Sequence, residues 1–257
     1  MTLDAKSPFE LRVALGEHVP EQTVREAHAT GDMGFLHSFT TGSTVDGPGD
    51  RVVAWTTGCM WRCQYCHNPD TWALNNGFPV SVEQAVAELR KYRQGLKVMS
   101  GGFTLSGGEP LLQHRFVVKL LTAAKTMNIH TTIETNGYFH EHLTDTELGT
   151  IDLVMLGLKT WDPERHRAPT GQDIAPTLEF ARRLAARRQP IWIRFVLVPG
   201  LTDDENDMAK SAAFAASLGV MRCGLFAVGF AAGLYMPSAI ATITPLVDRA
   251  HWGKAIA

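Results

Sequence analysis

Residues 103–135 have the sequence FTLSGGEPLLQHRFVVKLLTAAKTMNIHTTIET and contain, in order, an apolar strand, a glycine turn, an amphipathic helix and a second strand. The pattern predicts strands over residues 103–106 and 129–135, and a helix from about residue 113 to residue 128. Strands that alternate with helices of about 10 to 15 residues are typical of parallel βαβ units. This stretch therefore predicts an α/β fold with a parallel sheet.

The same alternation recurs on both sides of this stretch. Further strands are predicted at residues 34–41, 51–57, 151–159 and 190–199, and further helices begin at Ser81, Pro176 and Thr202. Ser81 with Gln84 forms a capping-box pattern, and Thr202 with Glu205 forms another. Such a series of strand and helix units favours a full or partial (β/α) barrel, whose chemistry lies on the loops after the carboxyl ends of the strands.

Composition and charge exclude several classes of function. The 257 residues include 24 Lys and Arg against 26 Asp and Glu, which gives no electrostatic footprint for nucleic acid or an acidic membrane surface. The longest strongly apolar stretch, residues 225–236, contains glycines and is shorter than the roughly 18 residues that a membrane span needs. Residues 1–22 contain acids and no apolar run, which argues against a secretory signal. We expect a cytoplasmic protein with no nucleic-acid partner and no membrane contact.

Three of the four cysteines lie close together on one predicted loop. Residues 56–72, TTGCMWRCQYCHNPDTW, place Cys59, Cys63 and Cys66 in a CxxxCxxC arrangement directly after a strand, whereas Cys223 is remote. In a reducing compartment such a trio favours metal binding over disulfides. A zinc site would need a fourth ligand, such as His67. A [4Fe–4S] cluster held by three thiolates leaves one iron open to a substrate or cofactor. The spacing favours the cluster, with zinc and coincidence as alternatives.

The cysteine motif, with Tyr65 before its last cysteine, resembles the signature of the radical S-adenosylmethionine (SAM) enzymes. Further motifs resemble the pyruvate formate-lyase activating enzymes of that group over roughly residues 34–219. They are STVDGPGDR, CQYCHNPDTW, SGGFTLSGGEPLLQ, TTIETNGY, DLVMLGLK and WIRFVLVPGLTDD. The resemblance implies an α/β fold, a partial (β/α)6 TIM-like barrel of radical SAM type.

The resemblance also implies a reaction and its partners. Cys59, Cys63 and Cys66 would bind a [4Fe–4S] cluster whose open iron chelates SAM. One electron from the cluster, delivered by a flavodoxin- or ferredoxin-type donor, would cleave SAM to a 5′-deoxyadenosyl radical, which removes hydrogen from a glycine of pyruvate formate-lyase. The alternatives are an activase for another glycyl radical enzyme and an inactive remnant that still binds a cluster. Many of the other activases carry extra cysteine-rich insertions, and no cysteine lies between Cys66 and Cys223.

Each remaining site residue has an implied role and a plainer alternative. The implied SAM contacts are Tyr65 and His67 for adenine, Gly108 and Glu109 for the amino group, Gly157, Leu158 and Lys159 at a strand end, and Arg194 in the pocket wall. Asp46 in the VDGPG segment would meet the backbone of the target glycyl loop. Considered alone, Gly108 and Glu109 could belong to an ordinary loop, and Tyr65 could be a packing aromatic. His67 could be an exposed histidine, Lys159 a solvated lysine, and Asp46 part of an Asx turn. An arginine within the apolar strand IWIRFVLV is harder to dismiss, because a buried charge needs a partner.

Two positions depart from the implied monovalent cation site. The resemblance gives that site to residues at the positions of Glu134, Thr135, Met155 and Gly157, with an acid where this chain has Gly157 and an aspartate where it has Glu134. Gly157 removes an oxygen ligand, and Glu134 is longer by one methylene. We expect cation binding to be weakened or lost.

The carboxyl-terminal part departs more strongly. We expect a polar extension at residues 1–32, a barrel domain at 33–220 and an atypical tail at 221–257. In the tail 23 of 37 residues are hydrophobic and Asp248 is the only acid, and the family's Leu-Pro-aromatic-His element is missing. An altered reading frame and natural divergence both explain this, and resequencing separates them. Loss of the sixth strand would expose the edge of residues 191–198 unless MRCGLFAVGF pairs as a substitute.

Overall fold

The computed structural model describes residues 21–219 and, for the backbone alone, the short strands at residues 226–229 and 240–242. The chain divides into two compact units. The first unit comprises Met1–Met60, His67–Thr135 and Glu141–Asp152, and the second comprises Trp61–Cys66, Asn136–His140 and Leu153–Ala257. The loop that carries Cys59, Cys63 and Cys66 therefore contributes residues to both units.

The elements follow the predicted alternation of strands and helices. The first unit contains α1 (Glu21–Thr30), β1 (Met33–Ser43), β2 (Arg51–Thr56), β3 (Phe78–Ser81), α2 (Val82–Val98), β4 (Gly102–Gly107), α3 (His114–Thr126), β5 (His130–Thr135) and α4 (Asp145–Leu148). The second contains β6 (Leu153–Gly157), α5 (Pro163–Thr170), α6 (Ala175–Ala186), β7 (Ile191–Leu197), α7 (Glu205–Ser217), β8 (Phe226–Gly229) and β9 (Ile240–Thr242).

The sheet of the first unit has a parallel centre. β2, β4 and β5 are parallel neighbours, β1 pairs antiparallel with β2, and β3 pairs antiparallel with β1. Arg51, Gly102 and His130 are aligned at the amino ends of the three parallel strands. At the carboxyl ends Thr56 is aligned with Gly107, which places the loops after β2 and β4 beside each other.

Local sequence signals explain the helices of this unit. Ser81 accepts a hydrogen bond from the backbone N–H of Gln84, whose side chain accepts one from the Ser81 N–H, so the predicted capping box of α2 is confirmed. α3 buries a face of apolar side chains against the sheet, as its period predicts: Phe116, Val117, Leu120, Leu121 and Ala124.

The second unit continues the parallel pattern. β6, β7 and β8 are parallel neighbours, and β9 pairs antiparallel with β8. With β2, β4 and β5 this makes two sets of three parallel strands, as a (β/α)6 arrangement requires. Of the two outcomes expected for the edge of β7, the substitute pairing is found for Arg194–Leu197, because β8 pairs with these residues. The other predictions for the tail, including those for Cys223, lie outside the described residues.

Part of the expected polar extension is helical: α1 forms within residues 1–32, and Lys119 of α3 donates to the carbonyl of Thr30 at 3.0 Å. One expectation is wrong in detail. The cap of α7 is Asp204, which accepts from the N–H of Asp207, because the Thr202 hydroxyl instead donates to the carbonyl of Val196 at 2.7 Å. The boundaries proposed at residues 32 and 220 remain predictions.

Among the helices of the described residues, none combines the length and the apolar character needed to cross a bilayer.

Candidate functional site

The first cysteine follows β2 and is fixed by backbone hydrogen bonds within the first unit. The N–H of Cys59 donates to the carbonyl of Trp72 at 3.0 Å, and the N–H of Gly58 donates to the carbonyl of Thr71 at 2.8 Å. Cys59 takes part in no disulfide bond and is half-buried. The start of the loop is therefore placed by its main chain.

The glycine turn after β4 packs directly on this loop. The N–H of Gly108 donates to the carbonyl of Thr56 at 2.8 Å, and the N–H of Glu109 donates to that of Gly58 at 2.7 Å. Gly107 has a φ of 118°, a conformation that side chains rarely allow. The structure thus brings Cys59, Gly108 and Glu109 to the same edge of the first unit.

We expect the G108A variant to disturb the cysteine loop. A Cβ at this position would overlap the carbonyl oxygen of Gly58 and lie 2.9 Å from that of Thr71, and backbone cannot yield as a flexible side chain can. Reconstitution with iron and sulfide should give markedly less bound iron per chain. The matched control is G95A in α2, where a Cβ meets nothing within 4 Å and should stabilise the helix by about 0.5–1 kcal/mol. Wild-type iron content in G108A would contradict this expectation.

Glu109 is a completely buried carboxylate held by defined donors. Its Oε1 accepts from the N–H of Leu111 at 2.9 Å and from the hydroxyl of Thr135 at 2.6 Å. On the neighbouring strand Glu134 accepts from the hydroxyl of Ser106 at 2.7 Å. A buried carboxylate is stable only with hydrogen bonds or a cation, and these two bonds hold Glu109 in a defined position.

Asp46 lies elsewhere in this unit. It precedes β2, at the amino ends of the parallel strands, whereas Cys59 and Gly108 follow the carboxyl ends. Asp46 is buried and accepts from the hydroxyl of Ser43 at 2.5 Å. The structure therefore does not bring Asp46 to the edge that carries Cys59. His67, which is also in the first unit, is exposed.

A buried arginine organises the segment around Asp46. The Arg51 guanidinium is fully buried and donates to the carbonyls of Pro48 and Phe103 at 3.2 and 2.7 Å, and to the hydroxyls of Thr104 and Thr132 at 3.0 and 2.8 Å. The Thr104 hydroxyl in turn donates to the carbonyl of Asp46. Burial lowers the pKa of Arg51 to about 10, against the opposing charges of Asp152 and Asp46, so the group stays charged at neutral pH.

The other two cysteines belong to the second unit, on a loop held by the carboxyl end of α5. The N–H of Arg62 donates to the carbonyl of Thr170 at 3.1 Å, and the N–H of Gln64 donates to that of Pro169 at 3.0 Å. The Gln64 side chain adds a bond to the carbonyl of Ala168 at 3.1 Å. The last carbonyls of a helix need donors from outside it, and here the cysteine loop supplies them.

α5 is itself placed by the turn after β6. Asp162 caps the helix by accepting from the N–H groups of Glu164 and Arg165, each at 3.0 Å. The buried carboxylate of Asp207 in α7 accepts from the N–H of Asp162 at 2.7 Å and from that of Trp161. This chain of bonds ties the end of β6, where Leu158 is buried and Lys159 is half-buried, to the helix that holds the cysteine loop.

Electrostatics connect Lys159 with the cysteine loop. The Lys159 Nζ lies 6.0 Å from the centroid of the Tyr65 ring. Burial raises the pKa of the Cys63 thiol, and the ammonium of Lys159 opposes this. Burial also raises the pKa of Tyr65, and the negative charge of Cys63 raises it further. The structure thus places Lys159 near Tyr65 and close enough to Cys63 for its charge to act on the thiol.

Gly157 and Arg194 are paired in the parallel register of β6 and β7, and the N–H of Leu158 donates to the carbonyl of Arg194 at 3.0 Å. β7 is fully buried on one face only. Buried Ile191, Ile193 and Phe195 alternate with half-buried residues, and Arg194 is one of the latter. Its half-buried position lowers the cost of carrying a charge in this strand.

The donor set can be tested against the groups that the motifs imply. In the described part of the chain no three His, Cys, Asp or Glu side chains are grouped as ligands of one metal ion. A [4Fe–4S] cluster instead takes each thiolate on a separate iron. Its three implied ligands, Cys59, Cys63 and Cys66, take part in no disulfide bond. Near them the Tyr65 Oη and Trp61 Nε1 are buried without a hydrogen-bond partner among the described residues. Such polar atoms fit a site that receives a polar ligand.

Three residues of this region were missed by the sequence reasoning. Arg51, Trp61 and His166 are among the most deeply buried side chains, with exposures of 0%, 1% and 0%. Arg51 gave one signal, a charge at the first position of an apolar strand. Trp61 and His166 gave none, since their contact joins residues about a hundred positions apart.

Comparisons with known proteins agree with this arrangement. The family model of the radical SAM superfamily matches residues 53–212. Over 193 residues the chain is 42% identical to the pyruvate formate-lyase-activating enzyme of Staphylococcus epidermidis, covering 72% of this chain and 76% of that enzyme. The match to the enzyme of the same name from Listeria monocytogenes is also 42% identical and covers 77% of it.

A solved structure supports the fold independently. Streptococcus suis SuiB bound to S-adenosylmethionine superposes with a TM-score of 0.54 at 16% identity, covering 68% of this chain and 38% of SuiB. At that identity the likeness concerns the fold alone. The fold class predicted from the sequence, an α/β partial barrel of radical SAM type, is confirmed.

Proposed function

The chain belongs to the pyruvate formate-lyase-activating enzymes of the radical SAM superfamily, and from this membership we propose that it is an oxidoreductase that generates the glycyl radical of pyruvate formate-lyase. The observation that carries the proposal is the loop after β2 with three cysteines, none of them in a disulfide bond, which lies inside the matched residues 53–212. Its backbone is fixed at Cys59 by the first unit and at residues 62 and 64 by α5.

The cofactor roles follow from the donors in each unit. Cys59, Cys63 and Cys66 are proposed to hold a [4Fe–4S] cluster. The buried Glu109 carboxylate and the turn at Gly108 are suited to the SAM amino group, and the half-buried Lys159 to its carboxylate. Tyr65 and His67 are assigned to adenine, and Gly157, Leu158 and Arg194 to the pocket wall.

When bound, the cluster and SAM supply reductive cleavage of SAM and abstraction of a hydrogen atom from the target glycine. The protein's own contribution is placement. The bonds from α5 to residues 62 and 64 orient the thiol-bearing loop, and those from Thr135 and Leu111 hold Glu109 in one position. Leu158 and Trp61 are buried, and their burial keeps water away from the end of β6 and from the middle of the cysteine loop.

Two further proposals concern the protein partners. Asp46 is proposed to meet the backbone of the glycyl loop of pyruvate formate-lyase. The electron donor is proposed to be of the flavodoxin or ferredoxin type. The position of Asp46 does not support its role, because the residue is buried at the amino ends of the parallel strands, away from the edge that carries Cys59 and Gly108.

Anaerobic reconstitution of the full chain with iron and sulfide tests this function. After addition of dithionite, SAM and pyruvate formate-lyase, we expect release of 5′-deoxyadenosine and a glycyl radical signal on the lyase. Cleavage of SAM without that signal would favour an activase for another glycyl radical enzyme. Cluster binding without cleavage of SAM would favour the inactive remnant, and absence of a cluster would refute the proposal.

The monovalent cation site yields a separate prediction. Because Gly157 offers no side-chain oxygen, we expect potassium to accelerate SAM cleavage less in the wild-type protein than in the G157D variant. The comparison is the rate of 5′-deoxyadenosine release in potassium against a large organic cation at equal ionic strength. Equal activation of the two proteins by potassium would contradict the expected weakening.

A further inference from the structure

His166 of α5 lies against the cysteine loop and is completely buried. Its imidazole packs edge-on against the Trp61 ring, with centroids 4.9 Å apart and an interplanar angle of 82°. Trp61 is itself only 1% exposed and stands between Cys59 and Cys63 in the sequence. The contact therefore joins α5 to the middle of the loop that carries the proposed cluster ligands, in addition to the backbone bonds at residues 62 and 64.

Packing alone does not account for a histidine at this position. Among the described residues neither ring nitrogen of His166 has a hydrogen-bond partner. A buried polar group without a partner lowers stability, so phenylalanine would fill the space against Trp61 at less cost. Among the described residues, the nearby Trp61 Nε1 and Tyr65 Oη are also buried and have no hydrogen-bond partner. Three such groups on one loop and its supporting helix indicate a partner that is not part of the chain.

The surrounding charges indicate what kind of partner this is. Burial, followed by the charge of Lys159, lowers the pKa of His166 to about 4 against the opposing effect of Asp173. At neutral pH the ring is therefore neutral and keeps one N–H donor. Lys159 also acts on Cys63 and lies near Tyr65. A ligand bound here would face the ammonium of Lys159 and several N–H or O–H donors of the protein. Such surroundings favour a ligand with an anionic hydrogen-bond acceptor.

We propose that His166 donates a hydrogen bond to an anionic acceptor of the bound cofactors, either a sulfur of the cluster or the carboxylate of SAM. The inference rests on the proposed function, because it needs the cluster and SAM to bind. Hydrogen bonds to the sulfurs of a cluster raise its reduction potential, since they stabilise the more negative reduced state. A hydrogen bond to the carboxylate would instead strengthen SAM binding.

The test compares H166F, H166N and H166Q with the wild-type full chain. Phenylalanine keeps the ring and removes both nitrogens, whereas asparagine and glutamine return an N–H near the positions of Nδ1 and Nε2. Three quantities are measured: the melting temperature of the cofactor-free protein, the midpoint potential of the reconstituted cluster without SAM, and the Kd for SAM. The matched control is H140F, because His140 is also buried in the second unit but packs its ring on Phe180 at 5.3 Å.

We expect H166F to melt no lower than the wild type, and to show either a lower midpoint potential or a Kd for SAM raised about tenfold. A changed potential identifies a cluster sulfur as the acceptor, and a changed Kd identifies the SAM carboxylate. At least one of H166N and H166Q should restore the wild-type value, and H140F should leave both quantities unchanged.

Wild-type potential and affinity in H166F would overturn the proposal, as would equal changes in H140F. If H166F does not fold, the two amide variants decide, and loss of the cofactor property in both overturns the proposal. A wild-type protein that takes up no cluster would refute the proposed function instead, so the two failures are distinguishable.

Discussion

The C63A variant is expected to bind no [4Fe–4S] cluster and to release no detectable 5′-deoxyadenosine. A methyl group offers iron no lone pair, and the spacing provides one thiol for each of three irons. Cys63 is half-buried and takes part in no disulfide bond, the charge of Lys159 acts on its thiol, and its loop is held through the backbone of residues 62 and 64. The fold should therefore survive the change, and the loss should be confined to the cluster.

The measurement is iron and sulfide content with the visible absorbance of the anaerobically reconstituted protein, accompanied by the melting temperature of the cofactor-free form. C59A and C66A should behave in the same way. The control is C223S, because Cys223 lies outside the CxxxCxxC motif, and it should bind iron as the wild type does. Wild-type iron content in C63A, or loss of iron in C223S, would show that the ligand assignment is incorrect.

The R51M variant is expected to lose about 3–5 kcal/mol of unfolding free energy, the usual cost of removing one member of a buried charged network. Methionine fills a similar volume, but it leaves the carbonyl of Phe103 and the hydroxyls of Thr104 and Thr132 without their donor. It also removes the cation that lies among Asp46 and Asp152. The measurement is the urea midpoint of the cofactor-free protein, followed by intrinsic fluorescence.

Two further variants separate the effect of the Arg51 charge from that of its donor geometry, and both from the effect of replacing any arginine by methionine. R51K keeps the charge but cannot reproduce the fork of donors, so its midpoint should lie between those of R51M and the wild type. R90M changes an exposed arginine in α2 and should alter the unfolding free energy by less than about 0.5 kcal/mol. If R51M unfolds at the same urea concentration as R90M, the Arg51 network does not support the fold.

Features coded by neighbouring residues were predictable from the sequence. The capping box at Ser81 and Gln84 and the apolar period of α3 involve contacts within a few residues, and both predictions are confirmed. The fold class followed from the same local patterns repeated along the chain. The cysteine spacing is also local, and it directed attention to a loop that the structure holds in a defined shape.

Contacts between distant residues could not be predicted in this way. Arg51 meets partners 52 and 81 positions away, so its sequence environment shows only a charge that begins a strand. β3 is stabilised by pairing with Met33–Leu36 rather than by its own four residues. α5 has the start signal of Asp162 and Pro163, but with eight residues and an internal Pro169 it shows little periodicity, and its carbonyls matter only because the cysteine loop docks there.

The way in which the cysteine loop docks on α5 has an evolutionary consequence. The two backbone bonds to Thr170 and Pro169 join peptide groups, and peptide groups are the same in almost every amino acid. Arg62 and Gln64 are both exposed. Substitutions at these two positions, proline excepted, therefore leave both backbone bonds in place, and only a change at Gln64 also removes a side-chain bond, the one to the carbonyl of Ala168. The surface of the loop is free to adapt to new protein partners, while the chemistry beneath it is inherited unchanged.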